Sequence, residues 1–160
     1  MINVKTEGME DISKLLSEMG EKAPGVAAAA LYEGAGVMAK EIAYQAGQIT
    51  ASPFRYRFGG WTRKPSPEEK AAIQGTVGIA KFDKNGSEVN TSIGFGNAGY
   101  VTMPNGKKRA VAQIANAINS GTSFMDKQPF IRKAVSSART RASKAIADKA
   151  QAELDALSKT

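Results

Sequence analysis

The sequence predicts an α+β fold: two N-terminal helices, an antiparallel hairpin-based sheet, a short helix and a long C-terminal helix. Three observations predict it. Apolar and alanine residues recur at helical spacing near both ends, period-two alternation flanks an Asn-Gly pair in the middle, and glycine and proline punctuate the stretch between. With 160 residues, 42% hydrophobic and 23% charged, the chain has the size of one domain, residues 1–160, able to bury a core without a disulfide or metal.

Met9, Ile12, Leu15, Leu16 and Met19 fall on one helical face, with Glu10 and Asp11 early, where the helix dipole favours anions. This predicts a short first helix closing near Gly20. Past Pro24, a stripe through Ala27, Ala28, Leu31, Ala35, Met38, Ile42, Ala46 and Ile49 predicts a second, longer helix. Gly34 and Gly36 each weaken it by about 1 kcal/mol relative to alanine, but small residues let another backbone approach closely.

Periodicity stops from Thr50 to Pro67, a long loop at 50–67. It carries Phe54, Tyr56, Phe58 and Trp61 among Arg55, Arg57, Arg63 and Lys64. Loops of this length are uncommon in a compact domain and usually functional or mobile. The residue types suit a protein interface, cover for the chain's own core, or stacking and phosphate contact with single-stranded nucleic acid. At its end, Ser66 reads as a helix cap, with Pro67 at the first helical position and Glu68 and Glu69 in the first turn. Adjacent helical carboxylates do not face each other, so a general acid and base pair is not expected there.

Val77 and Ile79, then Val89, Thr91, Ile93 and Phe95, alternate around Asn85-Gly86 and predict a hairpin. Asp83, Asn85 and Glu88 lack calcium-loop spacing and read as turn residues. Gly94, Gly96 and Gly99 spell a dinucleotide fingerprint, but no helix is expected to open at Gly99 and no acid follows at the required distance. Close backbone approach is the better account. A turn at Pro104, Asn105 and Gly106 precedes Lys107, Lys108 and Arg109, read as the basic entry to a short helix through Val111, Ile114, Ala115 and Ile118. Pro129 then opens a long helix with Ile131, Ala134, Val135, Ala138, Ala142, Ala145 and Ile146 on one face. Lys133 and Lys144 lie opposite, flanked by Arg132, Arg139 and Arg141.

The chain has no Cys and no His, which removes disulfides, thiolate nucleophiles, imidazole bases and the usual zinc sites. No enzyme, cofactor or metal is expected, and no apolar run is long enough to span a bilayer, so a soluble protein made in the cytosol is expected. The net charge of +7 is regional: residues 1–53 carry −3, residues 54–145 carry +11 and residues 146–160 carry −1. Lys107, Lys108, Arg109, Lys133, Arg139 and Lys144 are the candidate basic surface, suited to DNA, an acidic protein or another anionic surface.

Gly121-Thr122-Ser123 and Gln128-Pro129-Phe130-Ile131-Arg132, preceded by an apolar short helix and followed by a charged, alanine-rich one, carry a resemblance. In order and spacing they resemble the tail-completion, or head-tail joining, proteins of long-tailed bacteriophages. The resemblance is specific over about residues 110–140 and looser elsewhere; Ala51 to Thr76 does not follow the family pattern. It implies a non-enzymatic structural protein of the virion neck or tail, assembling from copies of itself as a ring, expected to be hexameric. Its implied partners are the connector or stopper and the tail tube or tail terminator, with DNA passing through the channel and no membrane. Its place would be the virion, and the host cytoplasm during assembly. In this reading Gly121 permits a turn, Pro129 sets a helix start, Phe130 is buried where helix meets sheet, and Phe54 to Lys64 meets a neighbour. The alternative from the charge pattern is a basic nucleic-acid-binding module.

Overall fold

The computed structural model describes residues 9–53, 62–85, 88–96, 99–103 and 106–159. It is a mixed helix and strand fold, but its N-terminal part is one helix where two were expected: α1 runs unbroken over Met9–Gly47 with Pro24 inside it. Proline in a helix removes one hydrogen bond and crowds the carbonyl four residues back, at a cost of about 3 kcal/mol. That carbonyl belongs to Gly20, which is exposed, so water can take the missing donor's place. The cost is also local, whereas continuation lets the rest of α1 lie along the C-terminal helix.

The helix closes with a tightened last turn in which Gln48 and Ile49 donate to the carbonyls of Gln45 and Ala46. Next comes α2 (Pro67–Thr76), opened by the expected cap. Ser66 Oγ accepts from the Glu69 amide at 3.2 Å, and the Glu69 carboxylate accepts from the Ser66 amide at 2.7 Å, forming a complete capping box.

The expected hairpin is present in two stages. Strand β1 (Val77–Ile79) pairs antiparallel with β4 (Ile93–Phe95), and β2 (Asp83–Asn85) pairs with β3 (Glu88–Asn90). From Ile79↔Ile93 to Asp83↔Asn90 the first arm advances four residues and the second three, so the first arm carries an extra residue, as in a bulge. Val89, Thr91, Ile93 and Phe95 are more buried than the residues between them, which is the alternation expected of them.

A second hairpin was not anticipated. Strand β5 (Tyr100–Thr102) pairs with β6 (Lys108–Ala110), and Gly106, at φ +77°, donates to the Met103 carbonyl between them. Lys108 and Arg109 therefore belong to a strand, not to a helix entry, because Tyr100 to Thr102 offers them a ladder before the helix begins. Helix α3 (Val111–Ser120) follows directly, and α4 (Phe130–Leu157) completes the chain.

The core gathers at the C-terminal end of α1, where Ile42, Ala46 and Ile49 meet Ile73, Val101, Val111, Ile114, Ile118, Met125 and Phe130. Each fully buried side chain of this size contributes about 1.5 to 3 kcal/mol. Farther along α1 the approach to α4 is close, with Gly34 against Ala142 and Ile146, and Ala30 and Ala35 on α1 and Ala138 and Ala142 on α4 are buried. Among the described residues, no helix is long and apolar enough to cross a membrane.

Candidate functional site

The segment between α3 and α4 joins three parts of the molecule. Gly121, at φ +76°, ends α3 with its amide bonded to the Ala117 carbonyl at 2.9 Å, a backbone conformation only glycine adopts without strain. Thr122 and Met125 then bond to each other through their backbones, and Thr122 Oγ1 also accepts from the Met125 amide at 3.0 Å. The Gln128 amide returns to the Ile118 carbonyl at 2.7 Å.

Pro129 (φ −78°, ψ 61°) sits at the centre of an inverse γ-turn closed by the Phe130 amide on the Gln128 carbonyl at 2.8 Å. It stands one place before the helix it was expected to begin. A proline side chain cannot cap a helix, and Asn119 supplies what it lacks: its Oδ1 accepts from the Ile131 amide at 3.1 Å. The last turn of α3 thus caps the first turn of α4. Phe130 is buried and meets the ring of Phe95 on β4 edge-on, 6.2 Å between centroids, which places it where helix meets sheet, as expected.

Two strands of backbone are stitched to this junction. Gln128 clamps Thr50 from both sides, its Oε1 accepting from the Thr50 amide at 2.8 Å and its Nε2 donating to the Thr50 carbonyl at 3.0 Å. Arg63 runs parallel to Met125: the Arg63 amide donates to the Phe124 carbonyl at 3.0 Å, and the Asp126 amide donates to the Arg63 carbonyl at 2.9 Å. Thr62 Oγ1 also bonds the Asp126 carboxylate.

Both ends of the aromatic and basic segment are therefore fastened, and the Ser52 amide reaches the Pro65 carbonyl between them at 2.8 Å. Phe54, Arg55, Tyr56, Arg57, Phe58 and Trp61 lie outside the described residues. Of the remaining two candidates, Lys64 is exposed, whereas the Arg63 guanidinium turns inward. Its Nη1 and Nη2 donate to the two carboxylate oxygens of Glu69 at 2.7 Å each, with 9% and 3% of the two side chains exposed. Glu69 thus serves the cap and the arginine together.

The basic run lies close by. Arg109 stacks over the half-exposed ring of Phe124, 5.6 Å from its centroid. Arg132, Lys133, Arg139 and Lys144 are exposed along α4; Arg141 is exposed too, but its charge is paired, its Nη2 donating to Glu41 on α1 at 2.7 Å. Glu41 also accepts from Gln45 and Ser137, and these bonds, Gln45 foremost and then Arg141, hold its carboxyl below the ordinary carboxylate range.

The sequence reading singled out neither Asn119 nor Glu41; a polar residue at the end of an amphipathic helix, and a Glu four residues before a Gln, were their only signals. It also passed over four exposed aromatics, Tyr32, Tyr44, Tyr100 and Phe124. Gly94, Gly96 and Gly99 hold no fingerprint geometry, since Tyr100 opens a strand and a side chain at Gly99 would press on Val111 at 2.8 Å. Among the described residues no cluster of acids is arranged to hold a metal ion. A scan against protein-family models and searches of curated proteins and of solved structures found no match.

Proposed function

We propose that this chain is a structural subunit of a bacteriophage neck or tail, which assembles as a ring with copies of itself and joins or completes the tail at the head-tail interface. The observation that carries the reading is the Gly121 to Arg132 junction. Gly121, Thr122 and Gln128 of the motif, with Asn119, Phe124 and Asp126 before and between its two halves, tie α3, α4, Thr50 and the Arg63 strand into one body. A segment so fastened fixes Thr50 and Arg63, which flank the aromatic and basic stretch, and a fixed framework is what repeated contact between identical subunits requires.

Two further features support the reading. Tyr32, Tyr44, Tyr100 and Phe124 are more than a third exposed, and aromatics of this kind anchor protein interfaces. Helix α1 meets the last turns of α4 near Pro24, Gly25 and Val26, beside Glu153 and Leu157, and its backbone extends from there to Met9. Basic and acidic regions of one chain can also pair head to tail around a ring.

Light scattering and negative-stain imaging of the protein, alone and mixed with tail tubes, test the proposal. The expected result is a closed ring, formed alone or only on the tail, with tails becoming competent to join heads. A protein that stays monomeric beside tails, and leaves their joining unchanged, overturns it.

A further inference from the structure

We infer that the outward face of α4 is a binding site for the phosphate backbone of duplex DNA. From Lys127 to Ala147 the chain has no acidic residue. The buried stripe of Ala134, Ala138 and Ala142 fixes which way the helix faces, and so turns Arg132, Lys133, Ser136, Arg139, Thr140 and Lys144 together toward solvent. Arg141, although 60% exposed, is neutralised by Glu41, and Lys149 is paired with Glu153. Among the described residues, none of the four outward cations has an acidic side chain within ion-pair distance.

Local electrostatics make this arrangement costly for folding alone. Arg132 and Lys133 stand in the first turn of α4, which has no acid, where the helix dipole already presents positive charge. Cations there are disfavoured by about 0.3 to 1 kcal/mol each at low ionic strength. A local rule broken with no compensating acid among the described residues is expected at a functional surface, and cations are compensated by an anion.

The composition of the face separates nucleic acid from an acidic protein. Protein interfaces are anchored by aromatic and large apolar side chains. This face has none at its centre, and exposed Val135 only borders it. Arginine, lysine, serine and threonine are instead the side chains that contact phosphate. From Arg132 to Lys144 the face is about 18 Å long at 1.5 Å per residue. Duplex DNA of that length carries about ten phosphate charges, enough to meet all four cations. The site stands whether or not the protein forms a ring.

The test is fluorescence anisotropy of the full chain with a labelled mixed-sequence duplex of about 20 base pairs, from about 50 to about 200 mM salt. Four phosphate contacts predict a log-log slope of affinity against salt of about −3.6. The quadruple variant R132Q/K133Q/R139Q/K144Q is expected to lose most of that slope and at least tenfold in affinity at the lowest salt, whereas R141Q keeps both. Circular dichroism melts confirm that each variant is folded, and single substitutions, each expected to lower the slope by about one, replace the quadruple if it is not. Binding by a monomer upholds the site and counts only against the ring. A flat titration, an unchanged slope in the variants, or displacement of DNA by polyglutamate at equal charge concentration overturns the inference, the last in favour of an acidic protein.

Discussion

Arg63 and Glu69 bury opposite charges against each other, and the loss of either would strand the other. The pair is bidentate, and Glu69 also accepts from the Ser66 amide. Removing one partner of a buried ion pair costs about 3 to 5 kcal/mol, far more than the pair contributes over an apolar replacement. Arg63→Ala is therefore expected to destabilise the protein by about 3 kcal/mol, read as a shift in urea midpoint at constant slope. Arg63→Lys should recover part of the loss, since it restores charge but not the two-pronged geometry. A loss below about 1 kcal/mol for the alanine variant, the level of an exposed pair, would show the guanidinium to be solvated.

Helices α1 and α4 are held by closeness at one level and by charge at another. At Gly34 an added Cβ would stand 2.3 Å from Ile146 Cγ1, whereas at Gly36 nothing lies within 4 Å. Gly36→Ala should thus stabilise by about 0.5 to 1 kcal/mol through helix propensity alone. Gly34→Ala should instead lose about 1 to 3 kcal/mol by overpacking, with much of the loss recovered in Gly34→Ala/Ile146→Ala; thermal melts of the three variants decide it.

About two turns farther along, Glu41 joins the same two helices through Arg141 and Ser137. Its carboxyl titrates below the ordinary 4.5, so it binds a proton more weakly folded than unfolded. The stability it contributes is present above that ordinary value and is lost as the pH falls through the lower, folded one. The melting temperature of the wild type should therefore fall more steeply on acidification than that of Glu41→Gln. The two should differ at neutral pH and converge in acid. Parallel curves would mean that the charge on Glu41 does not couple the helices.

For the molecule as a whole, the proposed assembly is expected to draw on different parts of the chain from folding. From Gly20 onward, the first buried position of α1 is Ala30, and the meeting of α1 with the end of α4 lies near Pro24. Deleting residues 1–19 should leave the melting temperature within a few degrees of the full chain, because the core at Ile42, Ile73, Ile118 and Phe130 is untouched. The same deletion should weaken self-association measured by light scattering across protein concentration. Full association by the shortened chain would place the subunit contacts elsewhere, and loss of folding would make the deleted residues part of the core.

The sequence by itself determined the helical stripes, the hairpin alternation, the Ser66 cap, the buried place of Phe130 and the regional charge, because each follows from periodicity or chemistry within a few residues. Only the tertiary structure decided that Pro24 would be carried through, that Arg63 would face Glu69, and that Asn119 would cap a helix twelve residues ahead. It also separated Arg141, turned onto Glu41, from the four cations left facing outward. These outcomes depend on which surfaces meet across long stretches of chain. A local penalty of a few kcal/mol is then offset by packing that no short window of sequence contains.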